Sequence, residues 1–354
     1  MRVCLSMIVK NEAHVIERCL RSVRPHIHAW AISDTGSTDG TQDIIRRVMS
    51  DMPGELIERP WVDFSTNRNH ALELAKNYGD YALIVDADDT IRAQPFEPLT
   101  EDCYDMVVEY GSLTYKQPHL IRLAKNFFYT GVTHEYIDCA EPFTRATLNN
   151  AVYVIGQDGA RRISGKKFED DAAMLRKGLQ SEPDNARYWF YLAQSCRDAG
   201  KLTEAMDAYR KRVALGGWIE ETYYALLQIA GLLERMGAEP AQVSQAYLEA
   251  FDCRAVRAEA PCYLAAYWRL RKGYFVAREF ARIAAAIPQP DDRLFLDASV
   301  YDWRARDEWA VSSYWCGDRD TSARLCRELL ADPRLPASER ERVLRNLDYA
   351  VGKA

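Results

Sequence analysis

The chain of 354 residues is long for one hydrophobic core, so two domains are expected. Its 48% apolar and 28% charged content are those of an ordinary globular protein, and a net charge of −6 excludes a nucleic-acid footprint or a polybasic membrane patch. Nine cysteines lie scattered with no Cys-x-x-Cys pair, which argues for reduced thiols in a cytoplasmic protein against a disulfide frame or a zinc site.

Val3 to Val9 reads as a buried first strand, interrupted by Ser6 and stopped by Lys10-Asn11-Glu12, too short for a signal peptide or a membrane span. Val15, Ile16, Leu20 and Val23 then recur at helical spacing. A second strand, Ala29 to Ser33, runs into Asp34-Thr35-Gly36-Ser37-Thr38-Asp39-Gly40-Thr41, after which Ile44, Ile45 and Val48 mark another helix. Two successive strand–loop–helix units predict a parallel sheet with right-handed crossovers, and ligands collect at the carboxyl ends of such strands. Ser37, Thr38 and Asp39 suit a helix cap and Gly36 and Gly40 a turn, which leaves the strand-end Asp34 unexplained.

Trp61-Val62-Asp63-Phe64-Ser65 leads into Thr66-Asn67-Arg68-Asn69-His70, the opening of a helix carrying Ala71, Leu72, Leu74 and Ala75. An arginine at a helix start opposes the helix dipole, so Arg68 should have an anionic partner: Asp43, Asp63 or a ligand phosphate. Tyr81 to Val85 is a mostly apolar run that delivers Asp86-Ala87-Asp88-Asp89 to the open end of the sheet. On extended backbone Asp86 and Asp88 point the same way, and two adjacent carboxylates repel unless a cation sits between them, which predicts a divalent metal with oxygen ligands. The alternative is a solvated acidic turn.

In order and spacing, Ser6 to Glu12, Asp34 to Thr41, Trp61 to Ser65 with Asn67-Arg68-Asn69, and Val85 to Asp89 resemble the inverting family 2 glycosyltransferases of GT-A fold. The resemblance implies an α/β N-terminal domain with a Rossmann-like, mostly parallel sheet, and transfer of a sugar from a nucleotide-diphosphate donor, with a UDP-sugar expected. It assigns Glu12 and Asp34 to the nucleoside, and Asp86 and Asp88 to the ribose and, through Mn²⁺ or Mg²⁺, to the diphosphate. Ile8, Lys10, Arg68, Asn69 and Ala87 fall in the same motifs and are implied as donor-site residues.

Met106 to Tyr110 and Leu120 to Leu123 are further plausible strands, followed by a strand-like segment from Tyr129 to Ile137. Its Gly131-x-x-His134-Glu135 step resembles a segment of lipopolysaccharide-core and related family 2 enzymes. An imidazole can complete a metal's coordination and a carboxylate can take a proton from an acceptor, which makes His134 a candidate ligand and Glu135 a candidate base; the alternative is a strand with one polar edge. Asp138 and Asp158 are the next candidates for the base. Val152 to Ile155 ends in the Gly-rich basic loop 156–167, similar to the segment that closes over the donor in GT-A enzymes, with Arg161 and Arg162 toward the diphosphate; otherwise it is a solvated linker. It marks the expected boundary between domains 1–167 and 168–354.

From Phe168 onward the periodicity is helical. Trp189, Leu192, Ala193, Cys196, Ala205 and Tyr209 fit the tetratricopeptide pattern of paired helices, about 34 residues per repeat. The pairs Ala193/Ala205, Ala265/Ala277 and Val311/Ala323 straddle turns near Gly200, Gly273 and Gly317, which predicts three to four degenerate repeats, with Glu221 to Ala250 irregular and Pro240 opening its second helix. The tail, including Arg257 to Pro261 and Ser299 to Trp303, resembles a helical module that follows family 2 domains in several bacterial and viral proteins. Such arrays hold extended chains, so the helical domain can grip a peptide or protein acceptor, as implied by a resemblance to bacterial peptide glycosyltransferases, support a glycan acceptor, or dimerise the chain. Two other classes compete. A nucleotidyltransferase is disfavoured because its Gly-rich, Lys/Arg-bearing first loop is replaced by Lys10-Asn11-Glu12, and an inactive scaffold is disfavoured because every acidic motif residue is intact.

Overall fold

Strand β1 (Val3–Val9) shows why the chain builds a two-faced sheet: Val3, Leu5, Met7 and Val9 enter one apolar cluster while Cys4 enters another on the opposite face. The structure, a computed structural model, describes residues 1–96, 98–110, 113–163, 165–292 and 294–353. It divides into two compact units, Met1–Pro183 and Asp184–Ala354.

In the first unit β1 is followed by α1 (Ile16–Val23), β2 (Ala29–Asp34), α2 (Thr41–Val48), β3 (Gly54–Glu58), α3 (Phe64–Ala75) and β4 (Tyr81–Ile84). Then come β5 (Thr90–Ala93), β6 (Cys103–Tyr110), β7 (Leu113–Arg122), β8 (Phe127–Thr130), β9 (Tyr136–Cys139), β10 (Arg145–Val154), α4 (Ala160–Ile163) and α5 (Lys167–Ser181). The main sheet runs β3-β2-β1-β4-β7-β6-β10-β5, and its first four strands are parallel. Ile16, Leu20 and Val23 of α1 with Ile45 and Val48 of α2 cover one face, and Leu72 and Ala75 of α3 the other. The connection order reverses between β2 and β4 on either side of β1, so the crevice lies where β1, β2 and β4 end, as the sequence predicts.

Two expectations change here. The segment from Tyr129 to Ile137 is not one strand: β8 and β9 pair antiparallel, and Gly131 (φ +113°) and His134 (φ +51°) turn the chain between them. Glu135 therefore sits in a turn. The compact units also part after Pro183 and not at 167/168, because α5 is tied to the sheet unit: Thr133 Oγ1 donates to Asp171 Oδ1 at 3.0 Å, and Arg161 pairs with the same carboxylate.

The second unit is helical, as expected. Hairpins form from α6 (Ala186–Asp198) and α7 (Leu202–Leu215), α8 (Ile219–Arg235) and α9 (Pro240–Cys253), and α10 (Glu259–Leu270) and α11 (Tyr274–Ala286). A π turn (Val300–Arg304) leads into α12 (Ala305–Trp315), which pairs with α13 (Arg319–Ala331), and α14 (Ala337–Ala350) packs on α13. Ala193, Ala205, Ala265 and Ala277 are fully buried where paired helices meet, the small side chains that let the helices approach. Gly200 and Gly317 take the left-handed turn conformation, but at the third hairpin Lys272 does so (φ +64°), and Gly273 serves close packing: a Cβ there would meet Trp268 Cε3 at 2.6 Å. Arg257, fully buried, pairs with Glu259 (2.8 Å) and Asp292 (3.2 Å) and donates to the Leu294 and Phe295 carbonyls, which pins the segment before the π turn to α10. No helix among the described residues is long and apolar enough to cross a membrane.

Candidate active site

Two polar loops meet where β1 and β2 end, and their side chains hold each other. Asn11, in the left-handed conformation, receives the Thr38 N–H on Oδ1 (2.8 Å) while its own N–H donates to Ser37 Oγ (2.8 Å). The Glu12 and Ala13 N–H groups donate to Thr41 Oγ1 and Asp39 Oδ2. Ser37, Thr38, Asp39 and Thr41 thus clamp loop to loop. Asp34, 1% exposed, takes the Gly36 and Ser37 N–H groups on Oδ1, both at 2.8 Å. Its Oδ2 is buried and has no partner among the described residues, which is costly for a desolvated acceptor unless something else supplies a donor.

A cleft of about 820 Å³ opens in this unit, lined by Ile8, Lys10 and Glu12 after β1, by Asp86, Ala87 and Asp88 after β4, and by Trp61, Phe64 and Arg68 around the start of α3. Arg161, Lys167, Asp170 and Met174 line it as well, so α5, read from sequence as part of the helical array, belongs to the cleft. Arg161 stacks over Phe64, 4.8 Å from the ring centroid, and Trp61 meets Phe64 edge-on at 4.8 Å. The side chain of Arg162 lies outside the described residues.

Arg68 has the anionic partners its helix position demands, but neither Asp43 nor Asp63 is one of them. Nη1 lies 2.7 Å from Asp86 Oδ1 and Nε 2.6 Å from Glu135 Oε1. Asp63 instead caps α3, accepting the Thr66 N–H at 2.7 Å. Partial desolvation would raise the Asp86 carboxyl, and the Arg68 charge outweighs it, leaving Asp86 below the usual carboxylate range. Asn69 does not line the cleft: it donates to the Tyr129 carbonyl (3.0 Å) and accepts the Tyr129 N–H (2.7 Å), fixing α3 to β8. His134 is exposed at the β8–β9 turn, outside the cleft lining, and among the described residues no three carboxylate, imidazole or thiol groups are set to hold an ion. Two hard carboxylates on one cleft, with the Asp86 side chain 41% exposed, suit Mg²⁺ or Mn²⁺ with the remaining ligands from water or phosphate.

Several supports carried no local signal in the sequence. Tyr153 donates to Asp89 Oδ2 (2.6 Å) and accepts the Asp86 N–H (3.0 Å), while its ring stacks on His119 at 3.8 Å. Burial and then the Asp86 charge push Asp89 up to about 7, and burial pushes His119 down to about 4. Arg18 grips Asp158 through two bonds (2.7 and 2.8 Å) and donates to the Asp88 carbonyl (2.9 Å), so Asp158, a fallback candidate for the base, is a latch for the basic loop. Glu12 accepts the Ala160 N–H at 3.1 Å, and its burial pushes the carboxyl up to about 7. Gly156 and Gly159 lie directly on Asp88. A Cβ at Gly159 would stand 2.1 Å from Asp88 Oδ2, so Gly159→Ala should displace that carboxylate in a folded protein and weaken any divalent ion it helps to hold by about tenfold, the worth of one charge-assisted contact. Calorimetric titration with Mn²⁺ checks this, and unchanged affinity would mean that Asp88 holds no ion.

Residues 4–136 match the model of the family described as Glycosyl transferase family 2. The chain is 27% identical over 224 residues to the SPbeta prophage-derived glycosyltransferase SunS of Bacillus subtilis (strain 168), covering 58% of this chain and 52% of that protein. It thus spans about half the length of the curated relatives it matches. Over 91 residues it is 37% identical to a TPR repeat-containing protein of Synechococcus elongatus, 25% of this chain and 21% of that one. A solved tetratricopeptide repeat protein from Parabacteroides merdae superposes with a TM-score of 0.40 at 18% identity, covering 54% of this chain and 70% of the other.

Proposed function

We propose that this chain, whose residues 4–136 form a family 2 glycosyl transferase domain, moves a sugar with inversion from a UDP-sugar to a peptide, protein or glycan acceptor. The observation that carries the reading is the convergence of Glu12, Asp86 and Asp88 with the cations Arg161 and Lys167 on one cleft of about 820 Å³, a size that suits a sugar nucleotide. Asp34 Oδ2, buried at the end of β2 and without a partner among the described residues, supports a nucleoside N–H or O–H as its missing donor. Asp86 and Asp88 would hold Mn²⁺ or Mg²⁺, which when bound neutralises charge on the departing diphosphate. Arg161 and Lys167 add fixed positive charge to the cleft lining. Glu135 takes the acceptor proton, since inversion needs a single base on the face opposite the leaving group. The helical unit is proposed to hold the acceptor or to pair two copies of the chain, and the nine free thiols suit a cytoplasmic setting.

The test is incubation with a panel of sugar nucleotides and Mn²⁺, reading nucleoside diphosphate released. Release from no donor, with or without candidate acceptors, overturns the reading. For the nucleoside contact, Asp34→Ala should weaken UDP binding by about 10–100-fold, the worth of one hydrogen bond to a charged group. Asp34→Asn, which keeps an oxygen for the Gly36 and Ser37 N–H groups, separates loss of the contact from collapse of the loop. Normal affinity in both variants would take Asp34 out of the site.

A further inference from the structure

The Asp86 and Glu135 carboxylates, to which the proposed function gives different tasks, share one cation. The Arg68 side chain is 12% exposed and that of Glu135 11%, and the guanidinium sits 5.4 Å from the centroid of the Tyr129 ring. A guanidinium presents its N–H groups in a rigid fork, so meeting one carboxylate with Nη1 and the other with Nε fixes where both lie. The support is stiff, because the next residue, Asn69, bonds in both directions to the Tyr129 backbone and holds the start of α3 on β8. Asp86 is thus already neutralised by a cation of the cleft lining, at the carboxylate proposed to take the ion.

We propose that Arg68 is a resident competitor of the divalent ion. This rests on the reading of Asp86 and Asp88 as ion ligands. A divalent ion arriving alone at Asp86 meets a carboxylate already paired and a fixed positive charge close behind it, so its binding is weakened. An ion arriving with a nucleoside diphosphate carries partly or fully compensated charge and meets less repulsion. Arg68 therefore makes the site load ion and nucleotide together, and keeps the Asp86 and Glu135 carboxylates balanced in the ion-free protein. The coupling is reciprocal: whatever strengthens the Arg68–Asp86 pair weakens ion binding, and the reverse.

The experiment titrates Mn²⁺ into the full chain with and without UDP and reads free Mn²⁺ by electron paramagnetic resonance, with no turnover involved. Arg68→Met should bind Mn²⁺ alone about tenfold more tightly than the unaltered protein, with a correspondingly smaller gain on adding UDP. Arg68→Lys, which keeps the charge, should stay near the unaltered protein. Because Arg68→Met leaves two carboxylates without their cation, the double variant Arg68→Met/Glu135→Gln is measured beside it and should also tighten. If every folded member of this pair binds Mn²⁺ alone no more tightly than the unaltered protein, or if neither folds while Arg68→Lys departs from it, the competition is overturned. Asp86→Asn separates the two claims: if it removes Mn²⁺ binding while the Arg68 variants gain nothing, only the competition falls, and if it leaves Mn²⁺ binding intact, the ion is not at Asp86 and both fall.

Discussion

Glu135→Gln is expected to lower turnover by about 10²–10⁴ while changing nucleotide affinity little, the signature of a lost general base. The carboxylate lies in the β8–β9 turn, near the start of α3, and is reached through Arg68. Gln keeps an oxygen to accept from Arg68 Nε, so the fork and its grip on Asp86 are largely preserved, and the change falls on proton transfer. Single-turnover kinetics beside calorimetry separates the two quantities. If nucleotide and ion binding vanish together with activity, Glu135 is a donor-side residue, and Asp138, exposed on β9, is the remaining candidate for the base. A thiol acceptor, more easily ionised than a hydroxyl, would blunt the effect, so the comparison is to be made on the acceptor that gives the highest rate.

Chelation is expected to abolish transfer, and added Mn²⁺ or Mg²⁺ to restore it. Charge neutralisation of a departing diphosphate by a bound ion is worth several kcal/mol, roughly a 10³-fold change in rate. Asp86 and Asp88 are the proposed ligands, so Asp88→Asn should reproduce most of the loss at saturating ion. Activity that survives EDTA would mean that the fixed cations of the cleft, Arg68, Arg161 and Lys167, neutralise the leaving group by themselves.

Much of the sheet is legible in consecutive residues. The runs Val3 to Val9, Ala29 to Ser33 and Tyr81 to Val85 are mostly apolar and end abruptly in polar residues, because central parallel strands are buried on both sides, and β1, β2 and β4 lie close to those bounds. Helical periodicity likewise gave the hairpins of the second unit, since their small buried residues recur at fixed spacing. Gly54–Glu58 and Thr90–Ala93 escaped, being short strands at the two edges of the sheet with only part of their residues buried. Segment Tyr129 to Ile137 read as one strand because residues on both sides of the turn favour extended backbone, and only the fold reveals the reversal at Gly131 and His134.

The composition of the site belongs to the sequence, and its pairings to the tertiary structure. The acidic motif after β4, the strand-end Asp34 and the need of Arg68 for an anion all follow from local rules of burial, charge and helix dipole. Which anion Arg68 takes, how Tyr153 and His119 brace the acidic turn, and why α5 forms a wall of the cleft depend on contacts between residues far apart in the chain: Arg68 meets Glu135 across 67 positions and Tyr153 meets Asp89 across 64. Periodicity carries information only over a few turns or a strand length, whereas Tyr153 and Asp89 become neighbours only once the order β4-β7-β6-β10 forms, and Arg68 and Glu135 only once α3 is held on β8.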